Sequence, residues 1–338
     1  MDSFFDNNKK HHFAVLGGGS WATALVKLLS ENHKNISWYM RDINNIKYIR
    51  ENYHSKRYLR SVHLDTSKFF MSDDITDVIM SSDIIVIAIP SAYFITELSK
   101  ANCSFEDKFI ISAVKGFVGK HNLTAAEYFN QEMSIPFDNI GIISGPCHAE
   151  EVSLEKLSYM TLSSKHMETA KALCDLFSCD YVHTIPGTDI YGVEYSAALK
   201  NIYALAAGIC HGLGYGDNFM AVLITNAYNE LVKFMNATYP ESTRVPSTSA
   251  YLGDLLVTCY SQFSRNRTFG NMIGKGYSVI SAQMEMNMVA EGYFAAKSIH
   301  NINKKCKVSL PIADAVYAIL FENKYPPRVI HELCKALQ

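Results

Sequence analysis

Apolar residues fall into two regimes along the chain. Up to about residue 187 they come in short unbroken runs: 13–16 (FAVL), 36–40 (ISWYM), 83–90 (DIIVIAIP), 108–113 (KFIISA) and 140–143 (IGII). Runs of this length that do not alternate suit strands of a parallel sheet covered on both faces. Helical periodicity at 23–29, 74–80 and 91–98 separates them, and two last strands, 159–163 and 181–184, flank a helix at 167–177. Residues 43–72 read as a helix and a loop. At Pro186-Gly187 the pattern breaks, and from 188 on the period is helical almost throughout. The pattern predicts an α/β, Rossmann-type doubly wound sheet over residues 1–187, followed by an all-α domain over 188–338.

Within the second half, residues 193–209 are apolar nearly all round, which predicts a buried helix. Lys200 and Asn201 sit in its middle. An ammonium in such a place must find partners, or its pKa falls until it sheds the proton. Lys200 is therefore a candidate general base; the alternative is a lysine whose head reaches water from a groove. Asp254 stands near the start of an apolar helix at 251–259 and is the candidate partner for that lysine. A strong amphipathic helix covers 221–235, residues 236–249 read as a loop, and the methionine-rich stretch 284–290 reads as core packing.

The first strand runs straight into Gly17-Gly18-Gly19-Ser20-Trp21-Ala22 and then a helix. Strand, glycine turn and helix start form the context a dinucleotide fingerprint requires. Gly17 permits the tight turn, Gly19 lets backbone approach a pyrophosphate, and Ala22 still allows helix and strand to pack closely. Arg41 and Asp42 follow the second strand side by side. An acid there suits ribose hydroxyls and an arginine suits a 2′-phosphate, so NAD and NADP both stay open. Lys115 and the loop Ser144–Glu150, with His148, lie at strand carboxyl ends, where ligands of doubly wound sheets bind. The cluster Ser264-Arg265-Asn266-Arg267 offers a guanidinium fork and an amide suited to a phosphate, or else a helix C-terminus with solvated arginines.

Composition narrows the classes. The net charge of -2 advertises no broad basic surface, so neither nucleic acid nor anionic lipid is expected as a partner. The eight cysteines are scattered with no CxxC pair and no metal-ligand spacing, which fits reduced thiols in a cytosolic protein and no metal. The polar leader MDSFFDNNKKHH is unlike a signal peptide. No apolar run reaches about 18 residues without interruption, which argues against integral membrane contact.

These motifs together resemble one family. GGGSWATAL, VKG at 114–116, SGP at 144–146, GVEYSAALKNIYALAAGICHGLGYGDN, LGDLLVTC, SRNRTFG and VAEGY stand in the order found in nicotinamide-dependent glycerol-3-phosphate dehydrogenases of the bacterial type, from about residue 13 to 322. The resemblance implies reversible hydride transfer between NAD(P)H and dihydroxyacetone phosphate, giving sn-glycerol 3-phosphate for phospholipid synthesis, in a cytoplasmic homodimer. It implies that Gly17, Gly19, Ser20, Trp21, Arg41, Lys115, Ala149, Arg265, Val289 and Glu291 meet the cofactor. It implies that Lys115, Gly145, Cys147, Lys200, Asp254, Ser264, Arg265 and Asn266 meet the substrate, with Lys200 as proton acceptor and Asp254 orienting it. Two rivals are kept open by the residues alone: a dehydrogenase of 3-hydroxy acids, which also wants a lysine but binds a carboxylate, and a non-enzymatic sensor of nucleotide redox state.

Overall fold

Short apolar runs that cannot hide both faces alone pair side by side and are covered by the helices that connect them. In the computed structural model, which describes residues 4–5, 10–286 and 290–338, this gives one eight-stranded sheet. Its strands are β1 (Phe13–Leu16), β2 (Ile36–Tyr39), β3 (Phe69–Ser72), β4 (Ile84–Ile87), β5 (Phe109–Ser112), β6 (Ile140–Ser144), β7 (Ser158–Ser164) and β8 (Val182–Gly187). Their order is β3-β2-β1-β4-β5-β6-β7-β8. All neighbours from β3 to β6 are parallel; β7 runs antiparallel to β6, and β8 is parallel to β7. Every residue of β1, β2, β4, β5 and β6 is buried, as expected of strands with two covered faces. The helices of this part are α1 (Ser20–Asn32), α2 (Ile43–Asn52), α3 (Ile75–Met80), α4 (Phe94–Leu98), α5 (Ala125–Gln131), α6 (Ala149–Ser153) and α7 (Met167–Phe177).

Two features differ from the sequence reading. The stretch taken as helix and loop ends in β3, an edge strand whose Phe70 is 50% exposed, so it presents no continuous apolar run. Strand β8 runs through Pro186 and Gly187 rather than stopping there, paired with Leu162 and Ser163. Proline is tolerated because β8 is the other edge of the sheet and owes no hydrogen bond on its outer side.

The chain divides into two compact units, Met1–Val114 with Ala125–Ile190, and Lys115–Thr124 with Tyr191–Gln338. The second is helical: α8 (Ile190–Gly212), α9 (Asp217–Thr238), α10 (Asp254–Tyr260), α11 (Arg265–Gly274), α12 (Val279–Glu285), α13 (Glu291–Cys306), α14 (Pro311–Phe321) and α15 (Pro326–Cys334). From Gly192 to Cys210 every residue of α8 is buried, which makes it the core of this unit. Glycines set how closely its neighbours lie. A Cβ on Gly270 of α11 would stand 2.2 Å from the Leu205 carbonyl oxygen, and one on Gly208 of α8 would stand 2.1 Å from that of Arg267. The two helices thus touch backbone to backbone, which carries the start of α11 close to the middle of α8. Met284 departs from the expected core packing: it is 83% exposed, because the buried face of the short helix α12 is supplied by Ala282. No helix among the described residues is long and apolar enough to cross a membrane.

Candidate active site

The first unit builds a phosphate cradle from glycine and helix geometry. Gly17 has φ +134°, a conformation that L side chains rarely adopt, and a Cβ there would meet the Ala88 carbonyl oxygen at 2.6 Å. The turn is pinned to the next strand: Gly17 N donates to Tyr39 O at 3.1 Å, and Trp38 Nε1 donates to Gly17 O at 2.7 Å. Gly19 is the N-cap of α1, with no side chain capping the helix and nothing within 4 Å of where its Cβ would be. Open space over the N–H groups of a helix start is what a pyrophosphate needs, so the residues present fit a dinucleotide. Buried Ser20 and half-buried Trp21 open that helix, and Ala22 is fully buried beneath it.

Arg41 follows β2 and stays exposed, whereas Asp42 is the N-cap of α2 and accepts from Asn44 N and Asn45 N through Oδ1. At the carboxyl end of β6, Gly145 has φ +104°, and a Cβ would meet Tyr159 O at 2.9 Å. Cys147 is buried, with its thiol donating to Tyr159 O at 3.2 Å. His148 is the N-cap residue of α6 and Ala149 its first residue.

The second unit gathers the polar side chains expected of a catalytic site. Lys200 Nζ donates to Asp254 Oδ1, and both side chains are only 3% exposed. Asp254 is the first residue of α10, directly after a π-helical turn at Ser249–Gly253, and its carbonyl accepts from the Thr258 hydroxyl at 2.6 Å. The surroundings are dry: burial pushes the Cys259 thiol up to about 12, against the opposing charges of Lys200 and Arg267.

Next to this pair runs a chain of amide hydrogen bonds. Asn201 Nδ2 donates to Lys115 O at 3.0 Å, Asn266 Nδ2 donates to Asn201 Oδ1 at 2.8 Å, and Gly292 N donates to Asn266 Oδ1 at 2.9 Å. It ties the Lys115 segment, α8, α11 and α13 into one framework. Ser264 is the N-cap of α11, its hydroxyl accepting from Arg267 N at 3.3 Å. Arg265 therefore stands at a helix N-terminus rather than at a C-terminus. It is half-buried, and its guanidinium makes no hydrogen bond or ion pair among the described residues. A guanidinium beside free helix N–H groups is suited to an anion.

The structure thus brings Lys115, Lys200, Asp254, Ser264, Asn266 and the start of α13, where Glu291 lies, into one unit, and sets Gly17, Gly19, Ser20, Trp21, Arg41, Gly145, Cys147 and Ala149 at strand ends of the other. Val289 lies outside the described residues. Asn201 is a site residue to which the sequence alone assigns no role. Its signal was a second polar residue beside Lys200 in an otherwise apolar helix.

Comparison with known proteins gives these observations a family context. A family model described as NAD-dependent glycerol-3-phosphate dehydrogenase N-terminus matches residues 12–170, and one described as the C-terminus of the same enzyme matches residues 189–331. A glycerol-3-phosphate dehydrogenase (NAD(P)+) of Oceanobacillus iheyensis is 36% identical over 321 residues, covering 95% of this chain and 92% of its own length. One from Clostridium botulinum is 37% identical over 322 residues, covering 95% and 96%. Among solved structures, glycerol-3-phosphate dehydrogenase of Coxiella burnetii aligns with a TM-score of 0.87 at 27% identity, covering 96% of this chain and 99% of that one.

Proposed function

The chain belongs to the NAD-dependent glycerol-3-phosphate dehydrogenase family, and from that premise we propose how its own residues divide the reaction. It is an NAD(P)-dependent oxidoreductase that interconverts dihydroxyacetone phosphate and sn-glycerol 3-phosphate. When bound, the nicotinamide supplies the hydride to substrate C2 or takes it back. The remaining chemistry falls to side chains. As C2 gains hydride, its oxygen gains negative charge. Lys200, held as an ammonium by Asp254, donates a hydrogen bond to that oxygen and then its proton; in the reverse direction neutral Lys200 accepts the proton. The dry setting strengthens this contact, because little water competes for the oxygen.

Arg265 and Asn266, with Ser264 at the helix start, hold the substrate phosphate, and Lys115 serves both substrate and cofactor. Gly145 and Cys147 border the substrate. Gly17, Gly19, Ser20 and Trp21 hold the dinucleotide, Arg41 meets its adenosine ribose, and Ala149, Val289, Glu291 and Arg265 complete its contacts. Binding energy at the phosphate then positions C2 for transfer. The enzyme acts as a cytoplasmic homodimer supplying glycerol phosphate for phospholipid synthesis.

The observation that carries this reading is the buried Lys200–Asp254 pair beside an uncommitted guanidinium on one helical framework. The experiment follows loss of nicotinamide absorbance with dihydroxyacetone phosphate, with dihydroxyacetone lacking the phosphate, and with a 3-oxo acid. Fast turnover of the phosphate ester alone is expected. A preference for the 3-oxo acid overturns the assignment of the anion site, and no turnover with any of the three favours a sensor.

A further inference from the structure

Tyr39, Arg41, Tyr93, Glu97 and Lys100 form one cluster within the first unit, at the carboxyl end of β2. Glu97 lies on α4, its side chain is 7% exposed, and both its oxygens are engaged. Oε2 accepts from the Tyr39 hydroxyl at 2.6 Å and from Lys100 Nζ at 2.9 Å, while Oε1 faces Arg41 Nη1 at 3.8 Å. Burial pushes the Glu97 carboxyl up, but the Lys100 and Tyr39 hydrogen bonds and the charges of Lys100 and Arg41 outweigh it and hold the group below its ordinary value, so it is ionised. The Arg41 side chain is 61% exposed, and its guanidinium lies over the Tyr93 ring, with Cζ 5.1 Å from the centroid. Arg41 and Lys100 thus share one buried anion, and the exposed carboxylate of Asp73 also acts on Tyr39. The strand end that carries it is bonded to the glycine turn through Tyr39 O and Gly17 N.

In dinucleotide folds an acid at this strand end holds the ribose hydroxyls, and an arginine accommodates a 2′-phosphate instead. Asp42, the only acid adjoining the strand end in sequence, is engaged in capping α2. We propose that Glu97 is a positioning residue that sets the choice of cofactor: it holds Arg41 toward the adenosine 2′-position, so that the chain prefers NADPH to NADH. This rests on the reading of Arg41 as the contact of the adenosine ribose. Glu97 has two opposed effects, since its charge also repels a phosphate. Solvent screens that repulsion at an exposed guanidinium. Release of Arg41 from its anchor removes the orientation that a forked phosphate contact requires, so positioning outweighs repulsion.

The test measures dissociation constants of NADPH and NADH by fluorescence titration of the intact enzyme, without turnover, and of adenosine 2′,5′-bisphosphate against AMP by calorimetry. The wild type should bind each 2′-phosphorylated ligand about tenfold or more tighter than its counterpart, the scale of one charge-assisted contact. Glu97→Gln should cut that ratio several-fold while leaving NADH and AMP binding within about twofold. Glu97→Asp, which keeps the charge but withdraws it by one methylene, should do the same. In an Arg41→Ala background neither change should have further effect, as expected of a residue acting through Arg41. Equal weakening of both ligand types, an unchanged ratio, tighter NADPH binding in Glu97→Gln, or a wild type that prefers NADH overturns the proposal. Should Arg41→Ala itself leave NADPH binding unchanged, the reading of Arg41 fails and this inference fails with it.

Discussion

Lys200 and Asp254 lie 54 residues apart in sequence, and their ammonium and carboxylate meet between α8 and α10 with almost no access to water. A buried ion pair is a weak device for stability, because desolvation offsets most of its attraction, yet stranding one member costs about 3–5 kcal/mol. The pair is therefore best understood through its proton. Lys200→Met should lower kcat by about 10³-fold or more, with dinucleotide affinity unchanged, and should also destabilise the fold by about 3 kcal/mol because Asp254 is left alone. Adding Asp254→Leu should recover the stability but not the turnover. Urea unfolding and steady-state kinetics on the two variants check this. A Lys200→Met enzyme with near-normal turnover removes the assigned acid and base.

Arg265 opens α11, and its guanidinium has no partner among the described residues. A half-buried guanidinium in that state is poised for an anion that arrives with the substrate. Arg265→Ala should raise KM for dihydroxyacetone phosphate by about 10- to 100-fold, as expected from losing one charge-assisted contact of about 1.5–3 kcal/mol. Arg265→Lys should recover only part of that loss, since an ammonium lacks the planar fork. Activity with dihydroxyacetone, which has no phosphate, should fall far less, by no more than the cofactor contact of Arg265 contributes. A similar loss with both ketones shows that the arginine serves something other than the phosphate.

Much of this was readable from residue order, for physical reasons that differ by element. β1 and β4 announce themselves because both faces of the strand are covered and every position is apolar. β3 does not, since half-exposed Phe70 and its neighbours carry no such demand. Lys200 stood out because one charge in an all-apolar helix needs an explanation, and Asp254 followed because few acids in that half lie inside apolar runs. The packing of α8 on α11 was not legible. Its mark is a pair of glycines four apart in each helix, Gly208 and Gly212 against Gly270 and Gly274, and such glycines read as turns until the partner backbone is seen. Glu97 was equally silent, because a glutamate in a short helix has nothing in its sequence to reveal that Tyr39 and Lys100 close over it.

That glycine contact predicts a positional effect at a distance from the chemistry. Gly270→Ala places a methyl group where the Leu205 carbonyl oxygen stands only 2.2 Å away, so α8 and α11 must separate. Overpacking of this kind costs about 1–3 kcal/mol. Separation also stretches the Asn201–Asn266 hydrogen bond, which joins the same two helices. The variant should melt lower and show a raised KM for dihydroxyacetone phosphate, while NADPH affinity changes little. Gly276→Ala, at a site with no atom near its Cβ but φ +95°, should lower stability without touching KM. Equal KM values in both variants separate the helix contact from the anion site.

Glu230 of α9 carries the clearest pH signature. It is buried, and its two oxygens accept from Ile312 N at 2.6 Å and Ala313 N at 3.3 Å, capping α14 from another helix. Burial raises its pKa most; the backbone N–H groups lower it, Asp314 raises it and Tyr203 lowers it, and the result is about 7 against an ordinary 4.5. Because the folded value is the higher one, the folded state keeps a proton that the unfolded chain releases above pH 4.5. Stability from this group is then largest below 4.5 and declines as pH rises to about 7, by about 3 kcal/mol in all, with little change beyond. Glu230→Gln, which cannot ionise, should lose that slope. Unfolding free energies of both proteins between pH 5 and 8 measure the difference directly; parallel profiles mean that the cap holds an ionised carboxylate throughout and that burial is not the dominant influence on it.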